Sequence, residues 1–205
     1  MIYDVSMAIT PTMTVYKNKA EKVPVFDTLS THNTGSAHET LLTMSLHTGT
    51  HMDYPLHMIK DGGVSDEAVP KGFLGSVKVF DLTKVSRIEA RDLQSLDIQA
   101  GDVVFFKTKN SFTEAFDFAF VDVTASAATY LADKKITGVG LDALGIERDQ
   151  AGHPTHKTLL GKDIWIIEGL RLKEVPEGTY ELMALPLKIV GVEALPLRVL
   201  LKTKD

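Results

Sequence analysis

Three histidines and an aspartate fall within HTGTHMDYPLH, residues 47–57, in a chain of 205 residues that holds seven histidines in all. His47, His51 and Asp53 offer two imidazoles and a carboxylate, donor types that hold zinc or manganese. Histidines four apart also suit one face of a helix, as in the HExxH zinc proteases. Here Thr48, Gly49, Thr50 and Pro55 disfavour a helix, and the preceding TLLTMSL alternates as a strand does, so an extended segment is expected. In a strand, residues 47, 49, 51 and 53 share one side, with only a hydrogen at Gly49 between the two histidines. A straight strand would hold His47 and His51 about 13 Å apart, so the chain is expected to bend at Gly49, where glycine permits it. A single strand histidine is ordinarily a hydrogen-bonded residue of the core or surface. Several ligating groups on one short segment, buried without partners, would cost several kcal/mol, and a divalent cation offers the simplest common partner.

A second cluster lies in HPTHKTLLGKDIWIIE, residues 153–168, where His156 precedes an apolar strand and Glu168 ends it. A carboxylate directly after Trp165-Ile166-Ile167 needs a charge partner or must stay protonated. A salt bridge to an arginine or lysine is the alternative to metal ligation. The chain has no cysteine, which excludes thiolate ligands, a thiol nucleophile and disulfides.

The elements that must position these groups read as follows. Strands are expected at 2–6, 40–46, 76–83, 102–108, 136–142, 163–170, 182–190 and 196–202. A helix is expected over TASAATYLADKK, 124–135, capped by Thr124 and closed by Lys134 and Lys135, and a shorter one over 89–96. Strands outnumber helices, so a β-rich α/β fold in one domain, 1–205, is expected. Phe105 and Phe106 read as strand core, and Asp142 as a turn or helix cap. His32, His38 and His153 read as surface or loop residues, with His38 able to reach the site if its segment folds over it.

The balance of 22 Lys+Arg against 27 Asp+Glu, with no basic cluster, argues against nucleic acid as a partner. No apolar run approaches a membrane span, and MIYDVSMAIT lacks the basic start and apolar stretch of a secretory signal, so a cytoplasmic location is expected. Neither GxSxG nor GxxxxGK[ST] occurs, which leaves serine hydrolase and P-loop chemistry without their usual signatures.

HTGTHMDYPLH resembles the HxGTHxDxPxH signature of the cyclase family of metal-dependent hydrolases, whose best-known members are bacterial kynurenine formamidases, or arylformamidases. The likeness extends through DVSMAIT, GSVKVFDLT, GDVVFFKT, ITGVGLDAL, HKTLLGKDIWIIEGL and ALPLKIVGVEALPLRVL, in family order. It implies a swivelling β/β/α fold with a β-barrel-like core and surrounding helices, assembled as a homodimer or higher homo-oligomer. It also implies that His47, His51 and Asp53 bind one divalent ion, that Asp53 bridges to a second, and that His156 and Glu168 complete a binuclear site with Glu168 touching both ions, His57 transferring protons. One or two Zn²⁺ ions per chain are the implied cofactor, with Mn²⁺ an alternative, and a small amide or formamide the implied substrate. Family formamidases carry a tryptophan within a segment like PVWPGD where this chain reads TVYKNK, so Tyr16 takes the place of the substrate-facing aromatic. The reading is a metal-dependent hydrolase of a C–N bond in an amide, formamide or cyclic amide. Its rivals are a polyketide-type cyclase or lyase and a non-catalytic metal-binding protein.

Overall fold

A computed structural model describes residues 1–66 and 70–204. Ten strands are present among them: β1 Ile2–Asp4, β2 Val25–Ser30, β3 Glu39–Thr43, β4 His51–Asp53, β5 Leu74–Asp81, β6 Val103–Lys107, β7 Gly138–Leu141, β8 Trp165–Glu168, β9 Gly178–Pro186 and β10 Ala194–Thr203. The α-helices are α1 Ala90–Leu93, α2 Ala125–Asp133 and α3 Pro154–Leu160. Hydrogen bonding runs in the order β10, β4, β8, β7, β6, β5, β9 and back to β10, which closes a seven-stranded barrel, and β1 adds to the flank of β10. β5, β6, β7 and β8 run parallel to their neighbours in that series, while the remaining barrel pairings are antiparallel.

Strand alternation divides the apolar residues into two clusters. Val103 and Phe105 of β6 and Trp165 and Ile167 of β8 fill the barrel interior, with Val77, Leu182, Leu195 and Val199. Their neighbours Val104, Phe106 and Ile166 face outward into a second core with Leu131 of α2 and Leu159 and Leu160 of α3. Phe105 and Phe106 are thus strand core, on opposite faces. The inward positions of β7 are Gly138 and Gly140. A β-carbon at Gly138 would lie inside the Trp165 ring, and one at Gly140 would meet Phe105 and Leu170 at 2.5 and 2.6 Å, so two large side chains occupy what two small residues leave free.

A strand lies at each segment expected from sequence, with ends trimmed, shifted or extended by up to four residues, and two differences stand out. The segment expected at 40–46 ends as a strand at Thr43 and does not run on into the barrel. It pairs with β2 in a separate two-stranded hairpin. Second, His153-Pro-Thr-His156 is not a simple approach to β8: His156 sits on α3, which begins after His153 in a left-handed conformation (φ 45°) with Pro154 at its first position. Helix α2 starts where Thr124 accepts a hydrogen bond from Ala127 N, as expected. No described helix is long and apolar enough to cross a membrane.

Candidate metal centre

The motif segment does not form one continuous strand. Residues 46–50 turn, with Gly49 at φ +72°, and only His51–Asp53 joins the barrel. The bend expected at Gly49 brings the His47 ring to 5.0 Å from that of His51, centroid to centroid. In β4, Met52 points into the barrel, so His51 and Asp53 point out of it. The same alternation in β8 buries Ile167 inside and turns Glu168 outward, and the register sets His51 directly opposite Glu168. α3 packs over this outer face and delivers His156.

The five residues singled out as ligands therefore converge. His47 Nδ1 lies 3.1 Å and His51 Nε2 3.5 Å from Asp53 Oδ1. His156 Nε2 lies 3.6 Å from the other oxygen, Asp53 Oδ2, and 3.3 Å from Glu168 Oε1, while Glu168 Oε2 lies 3.4 Å from His51 Nε2. His51, Asp53, His156 and Glu168 are buried, and His47 is partly so. Both Asp53 oxygens and His51 Nε2 are buried without a hydrogen-bond partner among the described residues. Orphaned acceptors in such a place cost several kcal/mol unless a cation meets them, so the donor set fits a divalent metal.

Local hydrogen bonds aim the imidazoles. His51 Nδ1 lies 2.9 Å from Gly49 O and His156 Nδ1 2.6 Å from Glu147 Oε1; both oxygens only accept, so each Nδ1 donates and each Nε2 is the ring nitrogen turned toward the carboxylates. Ile146 N donates to Glu168 Oε1 at 2.6 Å. Burial alone would raise the Asp53 pKa, but contacts with His156 and His47 outweigh it and hold the carboxyl well below the ordinary range. For His156 burial works downward, and the surrounding carboxylates of Asp53, Glu147 and Glu168 outweigh it and raise the pKa well above the usual imidazole value. His57, set on a short 3₁₀ turn at Pro55–His57, stacks on His47 at 4.2 Å between centroids. Its ring is 5.5 Å from that of His156, and burial lowers its pKa.

A cavity of about 130 Å³ opens on these groups, with Tyr16, His57, Met58, His153 and Lys22 among its walls. The Tyr16 ring packs edge-on against Phe116, and burial, with Asp149 and Glu168 nearby, pushes its phenol pKa up to about 12. Asp142 is a buried loop cap, accepting from the backbone and side chains of Thr108 and Ser111. Two residues differ from the sequence reading. His153, expected to be a surface or loop residue without a part in the site, lines the cavity with its Nδ1 3.8 Å from Glu147 Oε1. Glu147, which carried no motif signal, is buried beside His156. His32 and His38 are exposed in the hairpin region, outside every ligand cluster among the described residues.

Comparison with known families matches residues 3–148 to the family described as "Putative cyclase". The chain is 32% identical to the kynurenine formamidase of Salinibacter ruber, over 98% of this chain and 97% of that protein. Among solved structures it resembles a predicted metal-dependent hydrolase from Bacillus stearothermophilus, 55% identical with a TM-score of 0.89 over 98% of this chain and 97% of that one. It also resembles isatin hydrolase A from Labrenzia aggregata, 25% identical with a TM-score of 0.84 over 100% and 94% of the two chains. The signature that lies on β4, the barrel around it and the length of these matches lead to one assignment: the chain belongs to the cyclase family.

Proposed function

We propose that the protein is a metal-dependent hydrolase that cleaves the C–N bond of a compact amide, formamide or cyclic amide. The observation that carries this reading is the buried, unpartnered acceptor set of His51 Nε2 and both Asp53 oxygens beside an open cavity. His47, His51 and Asp53 would hold one divalent ion, and Asp53, His156 and Glu168 a second. The division is supported by Asp53 itself, whose Oδ1 faces His47 and His51 while its Oδ2 faces His156. Nitrogen and oxygen ligands without sulfur suit zinc, with manganese the alternative.

When bound, such cations polarise an amide carbonyl and acidify a water, so that a nucleophile exists near neutral pH. His57 does the proton work. Its lowered pKa leaves the ring neutral near pH 7, able to take a proton from the attacking water and return it to the departing nitrogen. Tyr16, kept protonated, offers a ring wall and a hydroxyl donor to a substrate in the cavity. A volume of about 130 Å³ is small beside the roughly 300–1,000 Å³ of most ligand pockets, which favours a compact planar amide. Kynurenine formamidase and isatin hydrolase, by their names, act on a formamide and a cyclic amide, which frame the substrate class.

The protein acts as a homo-oligomer in this reading. The β2–β3 hairpin exposes Val25, Phe26, Leu29, Leu41 and Leu42, and a lone two-stranded ribbon is marginal in water. The deciding experiment is kcat/KM for small formamides and cyclic amides, isatin included, with zinc or manganese supplied. Metal-loaded protein that turns over none of them, while binding metal tightly, would set aside the hydrolase in favour of a polyketide-type cyclase or lyase or a non-catalytic binding protein.

A further inference from the structure

Glu147 lies on the loop between β7 and α3 and is 2% exposed. Its carboxylate meets four N–H donors. Oε1 accepts from His156 Nδ1 at 2.6 Å and from His156 N at 3.1 Å, and Oε2 accepts from Thr155 N at 3.0 Å and Gln150 Nε2 at 2.6 Å. An acceptor of four donors is stable as the anion, and an anion at Nδ1 binds the imidazole in one tautomer. The two main-chain contacts tie the same carboxylate to the backbone of α3, so the ring cannot turn about its side-chain bonds without breaking a charge-assisted hydrogen bond. His51 receives its orientation from a main-chain carbonyl, Gly49 O. His156 depends on a side chain for the same purpose, and a carboxylate partner makes the opposite nitrogen a stronger donor to a cation than a carbonyl partner does.

We infer that Glu147 is a positioning residue of the metal centre: it fixes His156 as an Nε2 ligand facing Asp53 and Glu168 and thereby strengthens metal binding. The inference rests on the proposed metal-dependent reading. It assigns Glu147 no contact with substrate or ion, since the Nδ1 it holds points away from the other ligands. Gln150 completes the support by filling an oxygen of Glu147, whereas the Thr155 side chain takes no part in it: Thr155 Oγ1 donates to Val123 O at 2.8 Å, and its contact with Glu147 is made by the main-chain N that any residue keeps.

The test is zinc affinity by competition with a chromophoric chelator, on wild type, Glu147→Gln, Glu147→Ala and Thr155→Ala, each with its melting temperature. Loss of a partner of this kind typically weakens metal binding about 10- to 100-fold, so Glu147→Gln should sit near the lower figure and Glu147→Ala near the upper. Thr155→Ala loosens the same helix start without touching Nδ1, and should melt earlier while binding zinc within about 2-fold of wild type. Long-range ¹H–¹⁵N spectra of the zinc-loaded wild type should show a proton on His156 Nδ1. Should Glu147→Ala fail to fold, the near-isosteric Glu147→Gln carries the comparison. Zinc binding by Glu147→Gln equal to wild type, or an equal loss in Thr155→Ala, overturns the inference alone. A wild type that binds neither zinc nor manganese overturns it together with the proposed function.

Discussion

At the scale of single residues, the proposed ligand and the proposed proton carrier separate by what each side chain faces. Asp53 has two buried oxygens with nothing to accept from, whereas His57 lies against His47 at the cavity wall. Asp53→Ala should therefore abolish tight metal binding, while His57→Ala should keep metal content near wild type and lose roughly 10²- to 10⁴-fold in kcat. Elemental analysis beside steady-state kinetics checks both, and metal lost from His57→Ala would make His57 a ligand. In the proposed reading Tyr16 bears on substrate choice. A phenol gives less stacking area than the family's indole and adds a hydroxyl, which the raised pKa keeps protonated. N-formylkynurenine should accordingly be a poor substrate, with kcat/KM below about 10⁴ M⁻¹s⁻¹, the low end of ordinary enzymes. A value well above that would show that Tyr16 replaces the tryptophan without consequence.

Between elements, two glycines let the ligand strands approach. Gly169 follows Glu168 and Gly49 precedes His51 by two residues, both at φ +72°, and a β-carbon on Gly169 would come 2.5 Å from Gly49 O and 2.9 Å from Gly49 C. One on Gly49 would instead meet the flexible tip of Ile9 at 2.7 Å. The left-handed backbone costs a side chain about 1–2 kcal/mol at either place, and overpacking against rigid backbone adds about 1–3 kcal/mol at Gly169 alone. Urea denaturation should find Gly169→Ala the less stable variant, and that variant should also lose metal, because a displaced β8 carries Glu168 away from His51. Equal stability of the two would mean that the crossing relaxes freely. The β2–β3 hairpin gives a second prediction at this scale. Phe26 and Leu42 face each other in its register, and their joint replacement by serine should lower the oligomer order seen by light scattering without loss of folding. An unchanged mass would remove the hairpin as the contact surface.

For the molecule as a whole, the buried cluster links stability to pH and to metal. His156 binds its proton more tightly when folded, so its contribution is complete below about pH 6.5, the unfolded value, and is lost as pH rises through the higher folded value. Asp53 works the other way: its contribution is present above about pH 3.8 and is lost as pH falls through the depressed folded value. Metal-free protein should thus lose stability from pH 6.5 upward, as His156 gives up the proton that shields Asp53 and Glu168. In the proposed reading zinc would take over that role without needing the proton, so the rise in Tm on adding zinc should grow from pH 6 to pH 9. Melting curves with and without zinc at several pH values measure this, and an increment that shrinks with pH would contradict the cluster as described.

Much of this was legible in order along the chain because it rests on local periods. Runs of β-branched and aromatic residues marked most of the barrel strands, Thr124 marked the start of α2, and the two-residue spacing of His51 and Asp53 put both on one face of whatever strand they joined. The ligand types and the bend at Gly49 followed from residue chemistry alone. The β2–β3 hairpin stayed hidden in part because β2, Val-Phe-Asp-Thr-Leu-Ser, is exposed along nearly all its length and so carries no alternation to read. Helix α3 has about two turns, too short for a helical period to stand out against the strand that follows it. What the tertiary structure alone decided is which distant segments meet. The antiparallel register of β4 on β8 sets His51 across from Glu168, 117 residues further on, and the packing of α3 on that face adds His156 and, through the loop before it, Glu147. Local sequence states the face on which a side chain lies, but closure of a seven-stranded barrel states its neighbour, because pairing between remote strands is settled by the burial of the whole core.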